Sequence, residues 1–216
     1  MIVLNLKTYS LSLEKALDFV EIAEEISEEA RIRIPIAVPY IHLKDAAKIY
    51  KDVFAQHVDD IKPGAFTGSI PVEAIKIAKA AGSLLNHSEK KVSFERIKTT
   101  LNRMNDFELE TIICAESQEE VLKIGRLNTK FIAIEPPELI GTGISVSKAK
   151  PEIIKNTVET IATINKEIQI FCGAGITNKE DIQKSIELGA NGVLVASAFV
   201  NSKNPKEFLR LLVSAF

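Results

Sequence analysis

"ELGANGVLVAS", residues 187–197, decides the fold. A segment of helical period runs out at Gly189, the chain turns, and "GVLVAS" follows as an unbroken apolar run. A strand with one wet face alternates apolar and polar residues. A run that is apolar at every position is covered on both faces, as in parallel sheets packed between helices. The same unit stands far upstream at 79–88, "KAAGSLLNHS": helix end, glycine, short turn, buried strand.

The pattern extends in both directions. Apolar runs rich in Val, Ile and Phe stand at 2–7, 32–39, 53–58, 83–87, 110–115, 130–135, 168–173 and 192–197, each too short for a typical helix. Between them lie helical patterns. The first is a stripe of Leu13, Ala16, Leu17, Val20, Ala23 and Ile26 with acidic residues opposite. Others occupy 42–51, 71–81, 93–105, 117–127, 151–165, 178–189 and 205–215. Pro71 and Pro151 suit a first helical turn. Gly82 and Gly189 suit left-handed helix C-caps. Strand–helix alternation calls for parallel strands and right-handed crossovers. Eight such units close most naturally into a single α/β domain, a (β/α)8 barrel spanning 1–216. An open doubly wound sheet is the structural rival. It usually has fewer strands, and no G-x-G-x-x-G follows the first strand here.

Bulk properties narrow the function. The 216 residues are 46% apolar and 26% charged, with a formal charge of −2 and no Pro/Gly/Ser-rich linker. That balance points to neither a nucleic-acid nor a membrane partner. No apolar stretch approaches the roughly 18 residues that a membrane helix needs, and "MIVLNLKTYS" reads as a strand rather than a signal peptide. Cys114 and Cys172 sit in apolar runs, as buried free thiols of a reducing cytoplasm do. Two cysteines and three histidines without a close-spaced ligand pair predict no metal.

In a barrel of this kind, chemistry sits at the C-terminal strand ends and the loops after them. Asn5 and Lys7 end the first strand on the same side, Gln56 and His57 the third, and Asn86, His87, Ser88 and Glu89 the fourth. The fifth ends on Cys114 with Glu116 close behind, the sixth on Glu135, the seventh on Gly173-Ala174-Gly175, the eighth on Ala196-Ser197. Singly, each has a bland reading. A terminal lysine is usually solvated, and a lone histidine is as often a structural hydrogen-bonding group; His42 and His57 read that way. Together, an ammonium, an imidazole and a carboxylate at one barrel mouth make a kit for proton transfer beside a carbonyl. The Gly-rich turns "CGAGIT" and "VASA" add a phosphate site after strands seven and eight, where backbone N–H groups can approach an anion.

"NLK" at 5–7, "AQHV" at 55–58, "GAFTG" at 64–68, "NHSE" at 86–89, "EPPELIGTG" at 135–143 and "CGAGI" at 172–176 resemble triosephosphate isomerase, in order and over nearly the whole chain. The lid and the short length, against about 250 residues for a typical barrel of this kind, look like the archaeal branch. The resemblance implies interconversion of dihydroxyacetone phosphate and glyceraldehyde 3-phosphate, a step of glycolysis and gluconeogenesis, without a cofactor. It casts Glu135 as the base, His87 as the electrophile, Lys7 as the cation beside the enediolate, Asn5 as an orienting group and Glu89 as a carboxylate near the lysine. It casts Ile140, Gly141, Gly173, Gly175, Ala196 and Ser197, with Asn5 and Lys7, as substrate contacts. A carboxylate base beside a neutral histidine held by a helix N-terminus is the scheme described for this family. Pro136 and Pro137 would stiffen one end of the lid and Gly141–Gly143 free the other.

Some positions depart from the family. Glu138 stands where the bacterial and eukaryotic lid has an aromatic residue, Gly175 where a serine is usual, and Ala196-Ser197 where paired glycines are usual. The loop "KPGAFTGSI" carries Phe66 and Thr67 on a long exposed stretch, which implies a homo-oligomer. A dimer is favoured over a tetramer, because the segments after strands four and five are charged. Two alternatives share the glycine turns: another phosphate-binding barrel isomerase of a sugar phosphate, and a non-catalytic barrel that binds a phosphometabolite.

Overall fold

The structure, a computed structural model, describes residues 1–139 and 144–216. Eight parallel strands close into a barrel in chain order. They are β1 (Ile2–Asn5), β2 (Ile36–Val38), β3 (Val53–Ala55), β4 (Gly82–Leu85), β5 (Glu110–Ala115), β6 (Phe131–Ile134), β7 (Gln169–Cys172) and β8 (Gly192–Val195). The seam pairs Ile2, Val3 and Leu4 with Val193, Leu194 and Val195. The helices are α1 (Ser10–Ala30), α2 (Leu43–Ile49), α3 (Val72–Ala78), α4 (Phe94–Asp106), α5 (Gln118–Gly125), α6 (Val146–Ala149), α7 (Pro151–Ile164), α8 (Lys179–Glu187), α9 (Ser197–Val200) and α10 (Pro205–Val213).

The continuous apolar runs have the physical cause expected of them. Alternate strand residues face opposite ways, and here both directions are dry. Val3, Ala37, Phe54, Leu84, Ile112, Cys114, Phe131, Ala133, Phe171 and Leu194 fill the barrel interior. Inside, the Phe131 and Phe171 rings lie tilted with centroids 6.0 Å apart, a favourable aromatic arrangement. The opposite parity, including Ile2, Leu4, Ile36, Ile113, Ile132 and Ile170, packs against the helices. Continuing the inward series upward by two residues on β1, β3, β6, β7 and β8 reaches Asn5, Gln56, Glu135, Gly173 and Ala196. The mouth is therefore lined in part by the next inward positions after the core.

Several boundaries differ from expectation. Strand β1 stops at Asn5 because Lys7 turns into the left-handed region, φ 49°. Strand β2 is three residues long, flanked by Pro35 and Pro39, which cannot donate to a ladder. Leu13, predicted on the buried stripe, is 42% exposed before a kink at Lys15, and Phe19 joins the buried face instead. Short helices α6 and α9 had no sequence signal of their own.

The punctuation residues divide in the same way. Pro151 opens α7, and Gly189 follows α8 with φ 96°, both as expected. Pro71 instead immediately precedes α3 as its N-cap. Gly82 is not a C-cap: Lys79 takes the left-handed position. Gly82 opens β4, where a Cβ would lie 2.1 Å from the Glu110 carbonyl oxygen. Gly192 opens β8 under the same constraint, its Cβ position 2.0 Å from the Met1 carbonyl oxygen. The repeated unit seen in the sequence is thus real at these two strand starts, where neighbouring backbone leaves no room for a side chain.

At the opposite end from the mouth, Arg33 closes the barrel floor. Its guanidinium donates to Asp52 at 2.6 Å and to Glu110 at 2.6 Å, linking the approaches to β2, β3 and β5.

Gly192→Ala should lower the unfolding free energy by about 1–3 kcal/mol or more, because the added methyl meets backbone rather than a movable side chain. Urea denaturation measures it. An unchanged midpoint would show that the β1–β8 seam yields freely.

Candidate active site

Lys7, Tyr9, His87, Glu135, Gly173, Gly175, Ile176, Thr177, Ala196 and Ser197 surround one cavity of about 60 Å³ at the barrel mouth. Five different strand ends supply these residues, so only closure of the barrel brings them together. Of the expected site residues, Asn5 and Glu89 lie beside this cavity, in an adjoining groove that they share with Lys7 and His87. Ile140 and Gly141 lie outside the described residues.

Glu135 follows β6, its N–H held by the Ala115 carbonyl at 2.8 Å. Only 2% of it is exposed. Burial raises its pKa from 4.5 to about 7, against the opposing effects of a hydrogen bond from the Cys114 thiol and the charge of Lys7. Oε2 has no hydrogen-bond partner among the described residues. A buried oxygen left without a donor is a costly arrangement, and here it is the oxygen that stands 3.5 Å from His87 Nε2. Gly173 makes the carboxylate's place. A Cβ there would lie 2.3 Å from Glu135 Cγ and 2.6 Å from Oε1.

His87 caps the 3₁₀ turn Ser88–Lys90, and its Nδ1 accepts from the Glu89 N–H at 3.2 Å. An acceptor at Nδ1 places the proton on Nε2, the nitrogen facing Glu135. Burial, then the nearby Lys7 charge, lower the His87 pKa to about 4, while Glu89 opposes them. The ring is therefore a neutral donor at physiological pH, although two carboxylates lie near it. Asn86 holds this loop: it donates to the Cys114 carbonyl at 2.9 Å and to Glu120 at 2.8 Å, and accepts from the Val92 N–H at 3.0 Å.

Lys7 carries its ammonium on a strained backbone. The left-handed region is unfavourable for a non-glycine residue, by about 1–3 kcal/mol. The Lys7 N–H donates to Asn5 Oδ1 at 3.0 Å, and the Lys7 carbonyl accepts from Gln56 Nε2 at 2.8 Å. Both partners are inward positions, one on β1 itself and one just past β3, two strands away. The ammonium pairs with Glu89 Oε1 at 2.7 Å, leaving its remaining protons for the cavity.

Gly175 has φ 69°, and a Cβ would lie 1.9 Å from the Ile144 carbonyl oxygen. Ala196 precedes α9 and Ser197 opens it. Glu138 pairs with Lys150, which ties the beginning of the β6 loop to the residue before α7. His57 reads as structural: buried, its pKa lowered by burial, and 3.3 Å from Asp59. His42 bonds the Leu13 carbonyl at 2.7 Å.

Three contributors had either no assigned role in the sequence or a different one. Gln56 was visible at a strand end, but only the backbone of Lys7 reveals its task. Cys114 read as a plain buried thiol; strand parity with Ile112 was the available signal that it points inward. Gly173 read as a phosphate contact, whereas the structure first gives it the work of admitting Glu135.

A family model described as triosephosphate isomerase matches residues 1–215. Triosephosphate isomerases of three archaea are similar along the full length. That of Methanocaldococcus jannaschii is 43% identical over 215 residues, covering 99% of this chain and 98% of the relative. That of Methanothermus fervidus is 41% identical over 216 residues, 99% and 97%. That of Archaeoglobus fulgidus is 39% identical over 215 residues, 99% and 96%.

The raised pKa of Glu135 has a thermodynamic signature. A carboxyl that is easier to protonate folded than unfolded favours the fold fully below pH 4.5, and that contribution is lost as pH rises through about 7. Above pH 7 the buried charge costs on the order of 3 kcal/mol. Glu135→Gln should therefore be more stable than the parent at pH 8, with the difference shrinking towards pH 4.5. Denaturant midpoints at both pH values measure it, and equal midpoints at pH 8 would refute the desolvated carboxylate.

Proposed function

The chain belongs to the triosephosphate isomerase family, and on that premise we propose how it interconverts dihydroxyacetone phosphate and D-glyceraldehyde 3-phosphate. The isomers differ by the transfer of hydrogen between two adjacent carbons and two oxygens. A base must take a proton from C1 of the ketone and return it to C2, while the oxygen charge is held between the two steps. Glu135 is the base, and its pKa near 7 suits proton exchange in both directions near neutral pH. His87 donates from Nε2 to the carbonyl oxygen as a neutral group, so the proton it lends is recovered from the other oxygen and no ion pair forms with the base. Lys7 offsets the negative charge of the enediolate. Asn5 and Glu89 act through Lys7, one on its backbone and one on its ammonium. The observation that carries this reading is a neutral histidine donor 3.5 Å from a desolvated carboxylate whose Oε2 has no hydrogen-bond partner among the described residues, beside an ammonium.

The phosphate falls to the glycine turns. Gly175, Ala196 and Ser197 offer backbone N–H groups and one hydroxyl on the same cavity. Gly173 joins them through its backbone, and Ile140 and Gly141 complete the set in the family's pattern. The chemistry needs no cofactor. A single-domain enzyme of the cytoplasm accords with the two free buried thiols, and no helix among the described residues is long and apolar enough to cross a membrane.

A coupled assay should find triose phosphate turnover in the parent and a drop on the order of 10³-fold or more in Glu135→Gln, since loss of a general base alone accounts for about 10²–10⁴. Near-parental activity in that variant would remove Glu135 from the mechanism.

We propose a homodimer as the working unit, in preference to a tetramer. Residues 62–69 are all exposed, with Phe66 half out in solvent. Beside Lys7 lies a groove lined by Leu13, Tyr40, Ile41, Gln56 and His57, with Ile41 72% exposed at its rim. An apolar tip and an apolar groove on one molecule are complementary between two copies, and the tip would bring Thr67 towards the partner's Lys7. Light scattering should give twice 23.8 kDa, and Phe66→Asp should shift the particle to one chain's mass. A parent that already runs as a single chain would overturn the proposal.

A further inference from the structure

Beyond Glu135, His87 and Lys7, a buried polar cluster centres on Asp181, in the first turn of α8. A carboxylate at this position can close a capping box. Asp181 does form one, with Asn178. Its Oδ2 accepts from the Asn178 N–H at 3.3 Å as one half of that box, and in addition from the Thr177 N–H at 2.9 Å and the Thr177 hydroxyl at 3.1 Å. Those bonds satisfy the turn that follows β7. Oδ1 is used differently. It accepts from the Ser145 hydroxyl at 2.9 Å and pairs with the Lys148 ammonium at 2.7 Å. Ser147 donates to the Asp181 carbonyl at 3.2 Å. Only 1% of Asp181 is exposed, and Ser145 and Ser147 are equally buried.

The two oxygens therefore hold two separate segments, 145–148 and 177–178. Between them lies Gly175, whose missing side chain lets its backbone press against the Ile144 carbonyl. The Val146 N–H donates to the Ala174 carbonyl at 3.2 Å in the same contact. Burial alone would raise the Asp181 pKa. Lys148 and the hydrogen bonds from Thr177 and Ser145 outweigh it and hold the group below the usual carboxylate range, so the hub is charged at neutral pH.

We propose that Asp181 is a positioning residue for the anion-binding half of the site: by gripping Ser145 and Lys148 with one oxygen and the Thr177–Asn178 turn with the other, it fixes Gly175 where a phosphate is received. This rests on reading Gly175 as a phosphate contact. Asp181 touches no substrate, and its effect reaches the ligand through backbone register alone.

The test removes the Oδ1 side and leaves the α8 cap whole. Ser145→Ala combined with Lys148→Ala keeps every bond to Oδ2. The double variant should raise KM for triose phosphate and weaken inorganic phosphate binding by about tenfold, the size of one lost charge-assisted hydrogen bond. Turnover at saturation should fall less, and the pH profile set by Glu135 should stay in place. Ser145→Thr combined with Lys148→Arg restores a hydroxyl and a cation and should return both quantities to near the parental values. Phosphate binding, measured by calorimetry, needs no turnover. If the parent isomerised nothing yet bound phosphate more tightly than the double variant, the positioning role would stand and the proposed reaction would fall. Equal phosphate binding by the two proteins, with only thermal stability changed, would reduce Asp181 to a helix cap and overturn the inference.

Discussion

The site depends on an imidazole that stays uncharged next to a carboxylate. Placed 3.5 Å apart and both buried, a histidine cation and a carboxylate would collapse into an ion pair, and the carboxylate could not serve as the proposed base. The fold prevents this in three ways. Burial penalises the cation, and Lys7 adds a like charge nearby. The Glu89 N–H occupies Nδ1, so a second proton there would displace a backbone bond. Glu89's own carboxylate works in the opposite direction, and its pairing with Lys7 directs its charge elsewhere.

Lys7 shows how such a balance is maintained. Its charge faces both His87 and the cavity from a left-handed turn after Leu6. An isolated residue would relax from that conformation. Here its N–H and its carbonyl are each bound by an inward side chain, Asn5 on its own strand and Gln56 from β3. The strain is thus tolerated because side chains from two staves of a rigid barrel, β1 and β3, hold the Lys7 N–H and carbonyl.

Much of the architecture was legible in the sequence because it follows from periodicity. Eight doubly buried strands, Pro151 and Gly189 all declared themselves locally. So did the convergence of Lys7, His87 and Glu135, once each was known to end a strand. What could not be read depended on approach from afar. Gly82 looked like a helix cap, since nothing nearby in sequence announces the carbonyl of Glu110 against it. Leu13 fitted the stripe of α1, but the kink at Lys15 is invisible to a count of spacings. Gly173, Gln56 and Asp181 have duties defined by partners on other strands and loops, and a linear pattern holds no record of those distances.

The seam between β1 and β8 carries a consequence for how the molecule comes into being. Ile2, Val3 and Leu4 find one set of ladder partners at Val193, Leu194 and Val195, almost the whole length of the chain away. Synthesis proceeds from the N-terminal side, so β1 emerges early and keeps one flank without its ladder partner until β8 is made. Pairings so distant in sequence slow folding, because loop closure must precede the contacts that reward it. Throughout that wait Val3, Phe54 and Phe171, bound for the barrel interior, have no closed ring to shelter them. The circle that later assembles the active site is, during biogenesis, an open and sticky arc, and the interval before its closure is when the newborn chain is most exposed to aggregation or chaperone capture.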